Sequence, residues 1–179
     1  MERTEPRVLV LTGVENSGKT TTAEALAKQT GWPLVREFAR THPDVLHGQA
    51  TVETLKALHL TWKTAVQQAK SAAPRETPWV ICDTGPLVLE VWAGEVFGVD
   101  LQLSFQEVGL FVLCETLRDW HPDPLRSLPD FEDRLALQVL YAQRLKQLDA
   151  SGAPYISVAC DPAQKSRVEQ IVDAAFNIL

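Results

Sequence analysis

Cysteine, methionine and tyrosine are scarce in this chain, at three, one and two among 179 residues. Cys82, Cys114 and Cys160 stand far apart, with neither the paired spacing of a metal site nor the even count of a disulfide framework. Each ends an apolar run, so three reduced, buried thiols are expected. Surplus positive charge is lacking too. Lys plus Arg number 17 against 23 Asp plus Glu, a formal charge of -6. That balance argues against a nucleic-acid partner, because wrapping a phosphate backbone draws on extra basic residues. It leaves room for a small anion in a locally positive pocket. The opening segment MERTEPR is polar and precedes only a short apolar run, so neither a signal peptide nor a membrane span is expected. A cytoplasmic protein is the expectation. His42, His47, His59 and His121 have no metal spacing, and His59 is expected to pack. Repeats, low-complexity tracts and Gly/Ser linkers are absent, which leaves one domain over 1–179.

What is present is alternation. Short β-branched or leucine-rich runs, RVLVLT (7–12), PLVRE (33–37), PWVICDT (78–84), GLFVLCE (109–115) and PYISVAC (154–160), read as strands. Between them lie stretches of helical period: Thr20 to Gln29 with a stop at Gly31 and Pro33, and 51–70 with Thr51 as N-cap. A third helix opens at Pro86 and closes at Gly98. The fourth runs from Phe131 to Leu148 behind Asp130, and the last from Ser166 to Ile178. Strand–helix alternation predicts an α/β sandwich of three layers around a five-stranded parallel sheet. Trp32, Trp79 and Trp92 read as core or rim packing.

The first strand runs straight into Gly13-Val14-Glu15-Asn16-Ser17-Gly18-Lys19-Thr20, and a helix runs straight out. This fits G-x-x-x-x-G-K-[ST], the phosphate loop of P-loop NTPases. Average residue usage brings the four fixed positions together by chance in a chain of this length only roughly once in a hundred. Glycines let successive backbone N–H groups face a phosphate, and the helix N-terminus adds partial positive charge there. Gly13, Glu15, Asn16, Ser17, Gly18, Lys19, Thr20 and Thr21 are therefore the candidate nucleotide-binding residues. Lys19 would bridge the outer phosphates, and the Thr20 hydroxyl would bind Mg2+. Asp83, at the end of a buried strand, is the candidate carboxylate on the metal side. ATP and Mg2+ are the implied cofactors.

Two further segments, REFAR (36–40) and DWHPDPLR (119–126), follow the second and fourth strands. With GVENSGKT and CDTG they give a chain that resembles the ribosylnicotinamide kinase domain of NadR-type proteins and its stand-alone relatives, from about Val8 to Ile178. That family reads G-x-E-S-S-G-K-[ST], R-E-[YF]-A-R, D-T-D and W-x-x-D-G-x-R. The resemblance implies a kinase that passes phosphate from ATP to the 5'-hydroxyl of nicotinamide riboside, a step of NAD biosynthesis. It gives Lys19, Glu37, Asp83 and Arg126 catalytic roles, and puts Glu37, Arg40, Trp62, Trp120 and Asp123 at the substrate. An arginine-bearing lid over about 116–134 would carry Arg118 and Arg126, with Arg134 as a further lid or phosphate-facing arginine. Glu37 is the first candidate for the general base, with Asp83 the other.

The chain departs from the family in four places. Asn16 replaces Ser, a change expected to be harmless in a loop that works through its backbone. Gly85 replaces the second Asp of D-T-D, Pro124 replaces the lid Gly and stiffens the turn, and Trp62 stands where a polar Gln is expected. A kinase for another nucleoside or a nucleotide therefore stays open, as does a non-catalytic ATP-binding or ATPase regulatory module. A guanine-nucleotide switch would need N-K-x-D, which the sequence does not contain. The expected partner is a small-molecule nucleoside, with neither nucleic acid nor membrane, and a homo-oligomer is left open.

Overall fold

The computed structural model describes residues 5–160 and 166–179. Five strands form one parallel sheet in the order β2-β3-β1-β4-β5. They are β1 (Arg7–Thr12), β2 (Leu34–Val35), β3 (Trp79–Asp83), β4 (Val108–Cys114) and β5 (Tyr155–Val158). β1 lies at the centre, with Val8 through Leu11 fully buried. Its side chains alternate between two cores: Val8 and Val10 face one, Leu9 and Leu11 the other.

Among the described residues, five helices cover the two faces. α1 (Lys19–Thr30) and α6 (Arg167–Ile178) lie on one, sending Ala23, Leu26, Ile171 and Ala175 inward. α3 (Val52–Ala72), α4 (Pro86–Trp92) and α5 (Phe131–Asp149) lie on the other, with Trp62, Val66, Leu87, Tyr141 and Leu145 in the core. α3 starts as expected, since Thr51 and Thr54 cap each other reciprocally. α4 continues as a π-helical turn over Ala93–Phe97, and Gly98 (φ 64) ends it in the left-handed conformation. No helix of the described residues is long and apolar enough to cross a membrane.

Differences from the sequence expectation have local causes. The second strand is two residues long, because Arg36 and Glu37 turn away from the sheet toward the cleft described below. A 3-10 turn (Ala39–Thr41) and a short helix α2 (Pro43–Leu46) follow where no element was expected. The α2 signal was present in the sequence, with Pro43 at the first turn and His42 Nδ1 accepting from the Asp44 N–H. In β4 the register against β1 slips between Val108 and Leu110. Gly109 is the extra residue there, and a Cβ on it would lie 3.0 Å from the Trp79 ring. Cys82 and Cys114 are buried as expected, but Cys160 is exposed, since β5 ends at Val158 before reaching it.

Candidate active site

The loop after β1 is built on backbone conformations that few residues hold. Gly13 has φ 125, and a Cβ there would stand 2.7 Å from the Cys114 carbonyl oxygen of β4. Gly18 has φ 77 and is the N-cap of α1, with no side chain capping the helix. The first N–H groups of a twelve-residue helix are thus left for an anion. The Lys19 ammonium folds over the loop and donates to the carbonyls of Gly13 at 2.9 Å and Val14 at 2.7 Å. Burial pulls its pKa down, while the charges of Glu37, Cys114 and Asp83 push it up. Thr20 and Thr21 are exposed on the first turn.

Opposite Lys19, Asp83 ends β3 and is only 4% exposed. Burial raises its pKa, against which the neighbouring Thr20 hydroxyl and then the Lys19 charge pull it down, with Glu37 adding to the rise. Its Oδ1 has no hydrogen-bond partner among the described residues. A buried carboxylate oxygen without a partner, beside an exposed threonine hydroxyl, fits a hydrated magnesium ion held by Thr20 and Asp83. The described residues contain no cluster of three His, Cys, Asp or Glu side chains, so phosphate oxygens and water would have to supply the other ligands.

Beyond Asp83 the wall opens into a cleft lined by Glu37, Phe38, Leu58, Trp62, Thr84 and Leu89. Glu37 Oε2 accepts from Arg40 Nε at 3.0 Å, and Arg40 Nη1 donates to Asp123 Oδ2 at 2.8 Å. One arginine therefore ties the cleft carboxylate to the loop over 116–130. Arg36, the other expected neighbour of Glu37, pairs with Glu24 instead. The Asp123 carboxyl is held below the usual range first by the Leu125 N–H and then by Arg40. Trp62 is buried on α3, stacked on His59 at 5.8 Å between ring centres.

The 116–130 segment is pinned to the phosphate loop by side chains of that loop. Asn16 (φ 57) donates to the Asp119 carbonyl at 2.6 Å and accepts from the His121 N–H and from Arg126 Nη1, both at 3.2 Å. Glu15 Oε1 accepts from the Ser127 N–H at 2.8 Å. The expectation that Asn16 changes nothing is thereby corrected: an amide spans donor and acceptor groups on the facing segment that a serine hydroxyl is too short to reach together. Arg126 also donates to the His121 carbonyl and lies over the Trp120 ring. Arg118 is exposed and stacks on Phe131, 4.6 Å from the ring centre.

Arg134 departs from its expected direction toward phosphate. It is fully buried, and its guanidinium donates to the carbonyls of Leu117, Arg118, Leu128, Pro129 and Asp130 and to the Thr116 hydroxyl. It clamps the two ends of the segment together from below. Two residues of the site do something that the motifs did not assign, Arg167 outside them and Thr84 as the middle residue of CDTG. Arg167, at the start of α6, donates to the Ser17 and Glu115 carbonyls and backs the phosphate loop. Thr84 holds φ 74 at the cleft wall. Neither had a signal in spacing; a contact across 150 residues and a left-handed threonine are tertiary facts.

A family model described as AAA domain matches residues 8–165. Among curated proteins none matches in sequence. Two solved structures of NadR protein are similar to this chain, one in complex with NR and one with NAD and AMP-PNP. They align over 98% and 97% of the chain at TM-scores of 0.67 and 0.65, with 18% and 17% identity. The chain spans about half of their length, 52% and 49%. A deoxyadenosine kinase from M. mycoides with bound dCTP aligns over 95% of the chain and 99% of its own, at a TM-score of 0.58 and 14% identity. What these three share with the chain is the fold.

Proposed function

This chain belongs to the AAA domain family, and on that premise we propose that it is a kinase that transfers a phosphoryl group from ATP to the 5'-hydroxyl of a nucleoside, nicotinamide riboside before others. The observation that carries this is a phosphate loop beside a pocket. The loop lysine feels the charges of Glu37 and Asp83, and those two carboxylates edge a partly apolar pocket. A nucleotide switch needs only the loop. The similarity to NadR and to a deoxyadenosine kinase supports the same reading at the level of fold.

Phosphoryl transfer is mostly positioning and charge neutralisation. On binding the triphosphate, Lys19 would exchange its loop carbonyls for phosphate oxygens, while the free N–H groups of α1 hold the same charge. Magnesium, held by Thr20 and Asp83, would supply further neutralisation. Glu37 would orient the acceptor hydroxyl and take its proton, aimed by its hydrogen bond from Arg40. Arg126, already against the phosphate loop through Asn16, would reach charge on the transferring group, and the 116–130 segment would exclude water. Gly85 in place of the second family Asp keeps a different nucleoside as the second reading.

The test is incubation with Mg-ATP and nicotinamide riboside, adenosine, cytidine, uridine or thymidine, counting monophosphate and ADP separately. Stoichiometric nicotinamide mononucleotide, lost in Lys19→Ala, is the expected result. Monophosphate from another nucleoside moves the acceptor. ADP without any phosphorylated acceptor returns the chain to an ATPase or regulatory module. Glu37→Ala should bind ATP as before and turn over slower by a factor on the order of a hundred; full activity there removes Glu37 from the proton transfer.

A further inference from the structure

The turn after Asp83 carries two costs that the fold itself does not explain. Thr84 is β-branched yet holds φ 74, a region that such residues rarely occupy. Its hydroxyl is also buried without a hydrogen-bond partner among the described residues. The turn is fixed in place, because the Thr84 N–H donates to the Leu11 carbonyl of β1 at 3.2 Å. Across the cleft wall, Trp62 is 4% exposed, and its indole N–H likewise has no partner. The Cys82 thiol, a weak acceptor, is a polar neighbour of it.

Gly85 lies between the two. A Cβ on it would stand 3.6 Å from Trp62 Nε1 and 2.7 Å from Val10 Cγ1, so a side chain there would meet Val10 before it could serve the indole. The chain thus brings two unsatisfied hydrogen-bonding groups to one cleft and leaves no room for a residue to satisfy them. Direction along the cleft is given by Asp83, which neighbours Thr20 and Lys19 and so marks the phosphate end. Thr84 follows Asp83 directly in the chain, Trp62 Nε1 lies 3.6 Å from where a Cβ on Gly85 would stand, and both line the cleft with Leu58, Leu89 and Phe38.

We propose that the Thr84 hydroxyl and the Trp62 indole N–H bind the acceptor and set its selectivity, Thr84 at the sugar and Trp62 at the base. This rests on the nucleoside-kinase reading above and deepens it. The indole only donates, so the base it takes carries a hydrogen-bond acceptor, a carboxamide or keto oxygen, on a flat ring that the apolar wall covers. A site whose buried polar groups stay unpaired without the right ligand discriminates strongly against analogues that lack the matching atom.

The experiment uses whichever panel nucleoside the wild-type chain phosphorylates best. Steady-state constants and melting temperatures are measured for Thr84→Ala, Thr84→Ser, Thr84→Gly and Trp62→Phe. Thr84→Ala and Trp62→Phe should each raise the acceptor KM about tenfold or more, with the KM for ATP moved less than about twofold. Thr84→Ser, which keeps the hydroxyl, should restore acceptor binding. Thr84→Gly relieves the left-handed turn, so it should melt no lower than wild type while showing the Ala phenotype. Wild-type transfer with an unchanged acceptor KM in both Thr84→Ala and Trp62→Phe overturns the proposal. An unchanged value in Trp62→Phe alone assigns the indole N–H to Cys82 and overturns that half. No monophosphate from any nucleoside with the wild-type chain is the failure of the kinase reading itself, and this inference falls with it.

Discussion

The surroundings of Asp83 work against its charge. Burial disfavours its charged form, and the Thr20 hydroxyl and Lys19 offset this incompletely, so its pKa is raised. A carboxyl whose folded pKa lies above the unfolded value destabilises the fold once it ionises. That cost is absent below the unfolded pKa, grows as pH rises through the window between the two values, and is fully present above the folded one. Asp83→Asn should therefore raise the melting temperature at pH 7 to 8, bring little gain near pH 4, and abolish transfer. Thermal melts across that range, with an activity assay alongside, check it. An equal gain at both ends would mean that the charge of Asp83 is not what costs stability. The same residue was identifiable from the sequence as a strand-end Asp after an apolar run. That its Oδ1 would be left without a partner was not, because burial comes from α3 and the phosphate loop closing over it.

At the scale of elements, the phosphate loop and the segment over 116–130 form one unit. The Asn16 amide makes three hydrogen bonds to the facing backbone and Arg126, Glu15 accepts two from that backbone, and Arg134 closes the segment from beneath. Asn16→Gly keeps the left-handed backbone at φ 57 and removes the amide. Proteolytic cleavage within 118–128 should then quicken roughly tenfold, since the local opening energy falls by the few bonds removed. ATP hydrolysis without acceptor should rise as water enters. Unchanged cleavage would mean that Glu15, Arg134 and the Arg40–Asp123 pair hold the segment down without Asn16. The sequence identified this stretch as a lid because it is polar, rich in arginine and placed after a strand. Which arginine faces the ligand and which braces the loop depended on the depth of α5, where Arg134 lies beneath the segment and Arg126 above it.

For the whole molecule, stability comes from two apolar layers on either side of one sheet. Leu145 of α5 is fully buried against the face that also carries Trp62 and Phe111. Leu145→Ala should cost about 2–5 kcal/mol in urea unfolding while leaving the KM for ATP as it was, because the phosphate loop hangs from the centre of the sheet. A shift in that KM would mean that the layer and the site are coupled. Both layers follow from the opposite facing of successive side chains along β1 and β3, whose uninterrupted apolar runs read as strands buried on both faces. The slip at Gly109 was not visible, since a glycine in an apolar run reads equally well as a regular strand.

By itself, the sequence determined the α/β architecture, the order of its elements and the position of the phosphate loop. These are local properties: periodicity, caps, and a run of residues that must be contiguous because one turn of backbone makes the site. Only the tertiary structure decided the rest. It turned Asn16 and Glu15 toward the lid, gave Arg134 to the loop's own carbonyls and Arg167 to the back of the phosphate loop, and set Thr84 and Trp62 unpartnered around Gly85. Each of those is a contact between segments far apart in the chain, and what a polar side chain does is fixed by which distant group it meets once the layers close.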